Sequence, residues 1–148
     1  MVKPKVFLDS SVLIAAILSP TGGSAYILSN FHSLVSFQIN EYVFREVERI
    51  LKSKFSSRLS LHNSFFLLLG VAGIEVVPNP SKQQVLKAFK WISQNDAPIL
   101  ASALLSSDYL LTLDNEFFGN KVMKLAQQKR RMLLIVKPRE FIEKIREI

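Results

Sequence analysis

The chain has 148 residues, enough for one domain with a sizeable core, and 49% hydrophobic against 21% charged residues excludes a disordered chain. It has no cysteine, which excludes disulfide frameworks, thiolate catalysis and thiolate metal sites, and which suits the cytoplasm. Nineteen Lys and Arg against 12 Asp and Glu give a formal charge of +7, a surplus that favours polyanionic partners such as nucleic acid.

In chain order, "KVFL" (5–8) reads as a short strand and "SVLIAAIL" (11–18) as a helix, with Asp9 at the seam between them. "PTGG" (20–23) is a turn, "SAYILSN" (24–30) a second short helix and "LVSFQI" (34–39) a strand. Asn40 stands where an N-cap belongs, ahead of a helix over 41–53. A further helix spans 59–72, with Gly73 as its terminator, and "IEVVP" (74–78) is a strand closed by Pro78 and Pro80. A helix near 81–90 follows. The next helix, 96–107, has Asp96 at its cap and Pro98 in its first turn. The chain then alternates strand 109–113, helix 121–128, strand 132–136 and a closing helix 138–148.

Strands separated by helices require crossover connections, hence an α/β fold with a largely parallel sheet covered on both faces. Residues 1–148 form one unit in this pattern, with no repeat, linker or low-complexity tract. The apolar run "FFLLLGVAGI" (65–74) is about half a membrane span. "MVKPK" followed by "VLIAAIL" has the outline of a signal peptide, but Asp9 interrupts it, so neither membrane insertion nor export is expected.

In parallel sheets, ligands bind outside the carboxyl ends of the strands. Asp9 follows one strand there and Asp114 follows another. Each acid also has a plain structural reading. Asp9 and Asp96 could be N-caps, and Asp114 a turn residue in "LDNE". Converging at one sheet edge, the three would repel one another unless protons or a cation intervened. Carboxylate oxygens with no cysteine and no nearby histidine suit Mg²⁺ or Mn²⁺ better than zinc.

A fourth acid lies on helix 41–53. At about 100° per residue, Val43, Phe44, Val47, Ile50 and Leu51 form its apolar face. Glu46 and Glu48 each fall about 40° outside that face, on opposite borders, so periodicity does not choose between them. Asp108 lies at the amino end of its strand and fits a structural turn. Glu116 could support the site or lie at the surface, and His32 and His62 read as helix-end or surface residues.

These segments resemble the PIN-domain ribonucleases. "VFLDSSVLIAAILSPTGGSA" is similar to the family's opening motif of an apolar strand, Asp, then Thr or Ser and often Asn. "DAPILASALLSSDYLLTLDNEFF" resembles the later block, in which one Asp opens a helix and another follows a strand ending in Thr or Ser. "LLIVKPREFI" resembles the usual last strand and the helix start after it. The resemblance spans nearly the whole chain with the motifs in order.

It implies a PIN-like fold, with a central parallel sheet between helices, and cleavage of RNA with Mg²⁺ or Mn²⁺. Carried over, the acidic cluster falls on Asp9, Glu46, Asp96 and Asp114 as catalytic and metal-holding residues. Glu46 is favoured over Glu48 because the family's small polar cap precedes its glutamate by about six positions. Thr112 matches the hydroxyl residue near the last acid and Ser11 the position that orients Asp9, both as supports of the cluster. Ser11 is a departure, since many members have Asn there. Many members are toxins of toxin–antitoxin pairs resembling the VapC group, and many are dimers, so an antitoxin partner and a homodimer are implied.

Arg45, Arg49 and Lys52 on the Glu46 helix, and the run Lys129, Arg130 and Arg131, are candidate RNA contacts, with solvated surface as the alternative. One rival function is a non-catalytic PIN-like scaffold that binds RNA or protein, against which the complete acid set argues. Another is a phosphatase of the haloacid-dehalogenase type. It needs a second Asp two positions after the first, where this chain has Ser11.

Overall fold

The computed structural model describes residues 2–128 and 132–147. Among these, five strands form one parallel sheet: β1 (Lys5–Leu8), β2 (Ser36–Asn40), β3 (Glu75–Val77), β4 (Tyr109–Leu111) and β5 (Leu134–Val136). Their spatial order is β3-β2-β1-β4-β5. Register places Val6 beside Phe37 and Tyr109, and Phe7 beside Gln38 and Leu110.

The helices are α1 (Ser10–Leu18), α2 (Gly23–Asn30), α3 (Glu41–Lys54), α4 (Leu59–Val71), α5 (Lys82–Phe89), α6 (Ala97–Ser106), α7 (Asn120–Gln128) and α8 (Pro138–Arg146). Side chains alternate faces along a strand, yet Val6, Phe7 and Leu8 are all buried, so β1 is covered on both faces. The fold class expected from the alternating pattern is the one observed. No single helix among the described residues is long and apolar enough to cross a membrane.

Local chemistry explains the boundaries. Asn40 accepts the Val43 N–H at 2.9 Å and starts α3. Ser81 and Gln84 form a reciprocal capping box at α5. Gly73 takes φ +61°, which suits the residue past the end of α4. Four strands are shorter than expected, β4 among them, which ends at Leu111 rather than at residue 113. β2 begins at Ser36 because Leu34 and Val35 donate to Phe31 O in a turn closing α2. β5 begins at Leu134, and β3 is three residues long. On α3, Val43, Val47 and Leu51 are fully buried, while Phe44 and Ile50 are half-buried at the borders of the apolar face.

The strand order turns at β1. The chain builds outward through β2 and β3, then returns to place β4 on the other side of β1. The β1/β4 junction is therefore a topological switch point, where the carboxyl ends of neighbouring strands leave a crevice. Asp9 lies at this edge, and its N–H continues the ladder onto Leu111 O at 3.0 Å.

Candidate functional site

Asp9, Glu46, Asp96 and Asp114 line one open cleft of about 540 Å³ at this edge, with Ser10, Ser11, Arg49 and Lys54. Four elements deliver the acids: the end of β1, the second turn of α3, the start of α6 and the segment after β4.

Asp9 is only 3% exposed. Its side chain does not cap α1. Instead Oδ2 accepts the Thr112 hydroxyl at 2.7 Å and the Ser11 hydroxyl at 2.8 Å. Both hydroxyls have second tasks: Thr112 accepts the Asp114 N–H and Ser11 accepts the Leu113 N–H. Burial raises the Asp9 pKa, the two hydroxyls oppose that rise, and the charges of Glu46 and Asp114 add to it. Ser10, which the sequence reading left out of the site, donates to Glu46 and lies 3.4 Å from Asp9 Oδ1. It links the β1 acid to the α3 acid.

Asp96 occupies the N-cap position of α6, but its carboxylate makes no capping bond. Its carboxyl is pushed up to about 8, first by burial, then by hydrogen bonding to Glu116 and Asp114 and by the charges of Asp114 and Asp9. Oxygens of Asp96, Asp114 and Glu116 all lie within 4.8 Å of one another. Asp9 and Glu46 share the cleft but stand outside this tight group. Asp114 does serve as a turn residue, accepting the Glu116 N–H at 3.0 Å. That turn opens a 3-10 segment, Asn115–Phe118, which brings Glu116 back to the cluster. Glu116 thus joins the ligand candidates, besides accepting the Ser93 N–H.

Two linkages absent from the sequence reading hold the acid-bearing helices together. Asn40 Nδ2 donates to Ser102 Oγ at 2.8 Å and to Pro98 O at 3.2 Å, joining the start of α3 to α6. Tyr42 donates to Asn95 O at 2.7 Å, beside Asp96. Burial first, then the charges of Glu46 and Asp96, push its phenol up to about 12 and keep it a donor. The sequence signal was available for Asn40 as a cap but not for its second role.

Glu46, not Glu48, faces the cleft. Glu48 lines a neighbouring groove with Arg45, Arg49, Lys52 and Ser53, and Arg49 belongs to both surfaces. Asp108 is set apart, accepting the Lys5 N–H at 2.8 Å. Lys129, Arg130 and Arg131 lie outside the described residues.

The donor set fits a hard divalent cation. Three carboxylates share a small volume, and burial first, then the neighbouring Glu116 and Asp114, raise the Asp96 pKa, so a divalent cation there would replace a proton.

No curated protein matches the sequence. Among solved structures, a chain of VapBC2 from Rickettsia felis, crystallised bound to a DNA fragment from their promoter, is similar. It has a TM-score of 0.65 and 16% identity, over 90% of this chain and 98% of that one. PAE2754 from Pyrobaculum aerophilum has a TM-score of 0.64 and 16% identity, over 98% and 97%. At that identity the likeness is one of fold. The PIN-domain family model matches residues 6–121, a span that holds all five acids of the cleft and its rim, and the chain belongs to the PIN-domain family.

Proposed function

We propose that the protein is a metal-dependent endoribonuclease that hydrolyses RNA phosphodiester bonds. The observation that carries this reading is the meeting of Asp96, Asp114 and Glu116 oxygens within 4.8 Å, where Asp96 and Asp114 line a cleft with Asp9 and Glu46. Mg²⁺ or Mn²⁺ held by Asp96, Asp114, Glu116 and Asp9 would offset phosphate charge and make water a better nucleophile.

The chain's own residues have distinct tasks. Thr112 and Ser11 fix the Asp9 carboxylate, and each is tied to the backbone after β4. Ser10 donates to Glu46, which leaves that carboxylate facing the cleft to orient the attacking water. The water oxygen bonds to phosphorus as the P–O3′ bond breaks, and the leaving oxygen takes a proton. The products carry 5′-phosphate and 3′-hydroxyl ends. Arg49 at the cleft, with Arg45 and Lys52 beside it, would hold the flanking phosphates.

As in toxin–antitoxin pairs, the chain would work in the cytoplasm as a homodimer held in check by an antitoxin. A haloacid-dehalogenase chemistry is disfavoured, because Ser11, where that family's general acid would stand, is committed to Asp9 and Leu113.

The test is cleavage of a structured RNA pool with Mg²⁺, with Mn²⁺ and with EDTA. Wild type should cut only with metal, and Asp9→Asn and Asp114→Asn should be inactive while keeping the wild-type circular dichroism. Full activity in either variant would sink the assignment.

A further inference from the structure

The cleft is larger than its carboxylates need. A cation with six waters fills about 180 Å³, at about 30 Å³ per water. The cleft has about 540 Å³, within the range of sites that enclose small organic ligands.

Its remaining wall is apolar: Ile14 and Ala15 of α1, Ile50 of α3 and Phe55, the residue that ends α3. All four are half-buried. Arg49 and Lys54, from the same end of α3, sit on this wall. An ion or a free phosphate would leave the apolar surface uncovered. A ligand with an anionic end and a flat apolar face matches all three parts of the cleft at once.

We propose that Phe55, with Ile14 and Ile50, forms a subsite for the nucleobase adjoining the scissile phosphate, while Arg49 and Lys54 hold that nucleotide's phosphates. The proposal rests on the nuclease reading and adds to it a preference for a base over a bare backbone. Aromatic side chains stack on every base, so the subsite selects unpaired RNA.

The test is amide chemical-shift titration with Mg²⁺ present, comparing 5′-AMP with ribose 5-phosphate. Neither has a phosphodiester bond, so binding is read apart from cleavage. Wild type should bind 5′-AMP at least about fivefold more tightly, the lower end of what one stacked base contributes. Because Phe55 also packs on the core, the variants keep its bulk. Phe55→Leu should erase most of the difference without changing the ribose 5-phosphate affinity or the melting temperature, and Phe55→Tyr should retain it.

Equal binding of the two ligands, no binding of either, or an unchanged preference in Phe55→Leu overturns the subsite. Metal-dependent RNA cleavage with no base preference would leave the nuclease standing and remove the subsite alone. A Phe55-dependent preference in a protein that cuts no RNA would do the reverse.

Discussion

The Thr112 hydroxyl spans the β1/β4 junction, donating to Asp9 Oδ2 at 2.7 Å while accepting the Asp114 N–H at 3.0 Å. One fully buried side chain thus sets the direction of the β1 acid and the path of the chain that carries the β4 acid. Thr112→Val keeps the shape and removes both bonds. It should cost about 1–3 kcal/mol of stability, because buried polar groups lose partners. It should also lower cleavage about 10- to 100-fold, as losing a support behind a metal-binding carboxylate does. Urea denaturation and initial rates measure the two effects. A variant with wild-type activity would show that Asp9 needs no such clamp.

The order of strands and helices is legible in the sequence because buried parallel strands are continuous apolar runs and the helix signals are local. Asn40 and Gly73 each act where their chemistry predicts. The cleft itself is only partly legible. Strand–acid order places Asp9 and Asp114 at one edge, but residues 46 and 48 flank the same apolar stripe almost symmetrically. Which of them enters the cleft depends on how α3 sits against α1, a tertiary fact. Glu116 is harder still. Two acids two positions apart point together only because Asp114 bonds the Glu116 N–H and turns the chain into a 3-10 segment. Ser10 reads as one more hydroxyl at a helix start until Glu46 is beside it.

Glu116 and Asp108 separate binding from structure. Glu116 joins the tight carboxylate group and also accepts the Ser93 N–H at 2.6 Å. Glu116→Gln should weaken Mn²⁺ binding by about tenfold or more in calorimetric titration. Asp108→Asn, which disturbs the contact to the Lys5 N–H, should cost about 1 kcal/mol of stability and leave the Mn²⁺ affinity unchanged. The reverse pattern would place the ion away from Asp96 and Asp114.

Asn40 couples the start of α3 to α6. It is fully buried, caps α3 through Val43 and donates to Ser102 and Pro98. Asn40→Ala loses a cap and leaves buried groups with fewer partners, so about 2–3 kcal/mol of stability should go. Because Glu46 and Asp96 ride on the two helices, activity should fall even where the variant is fully folded. Asn40→Asp keeps the capping oxygen but not the donor, so it should recover part of the stability while still loosening the contact to α6.

The carboxyl of Asp96 makes the metal-free protein sensitive to pH in a direction opposite to that of a salt-bridged acid. Its pKa is raised from 3.8 to about 8 by burial and by Glu116 and Asp114. The folded state therefore binds this proton more tightly than the unfolded chain does. The stabilisation it gives is complete below about pH 4 and is lost as pH rises through about 8. A divalent cation binds the ionised form, so its uptake must expel the proton, and its stabilising effect must grow over the same interval. Melting temperatures taken from pH 5 to 9, with EDTA and with Mg²⁺, should diverge as pH rises. Asp96→Asn should flatten the metal-free curve and remove most of the gain from Mg²⁺. A metal-free protein that became more stable across this range, with Asp96→Asn behaving the same way, would mean that the three carboxylates do not share a proton and that their charge is already offset within the chain.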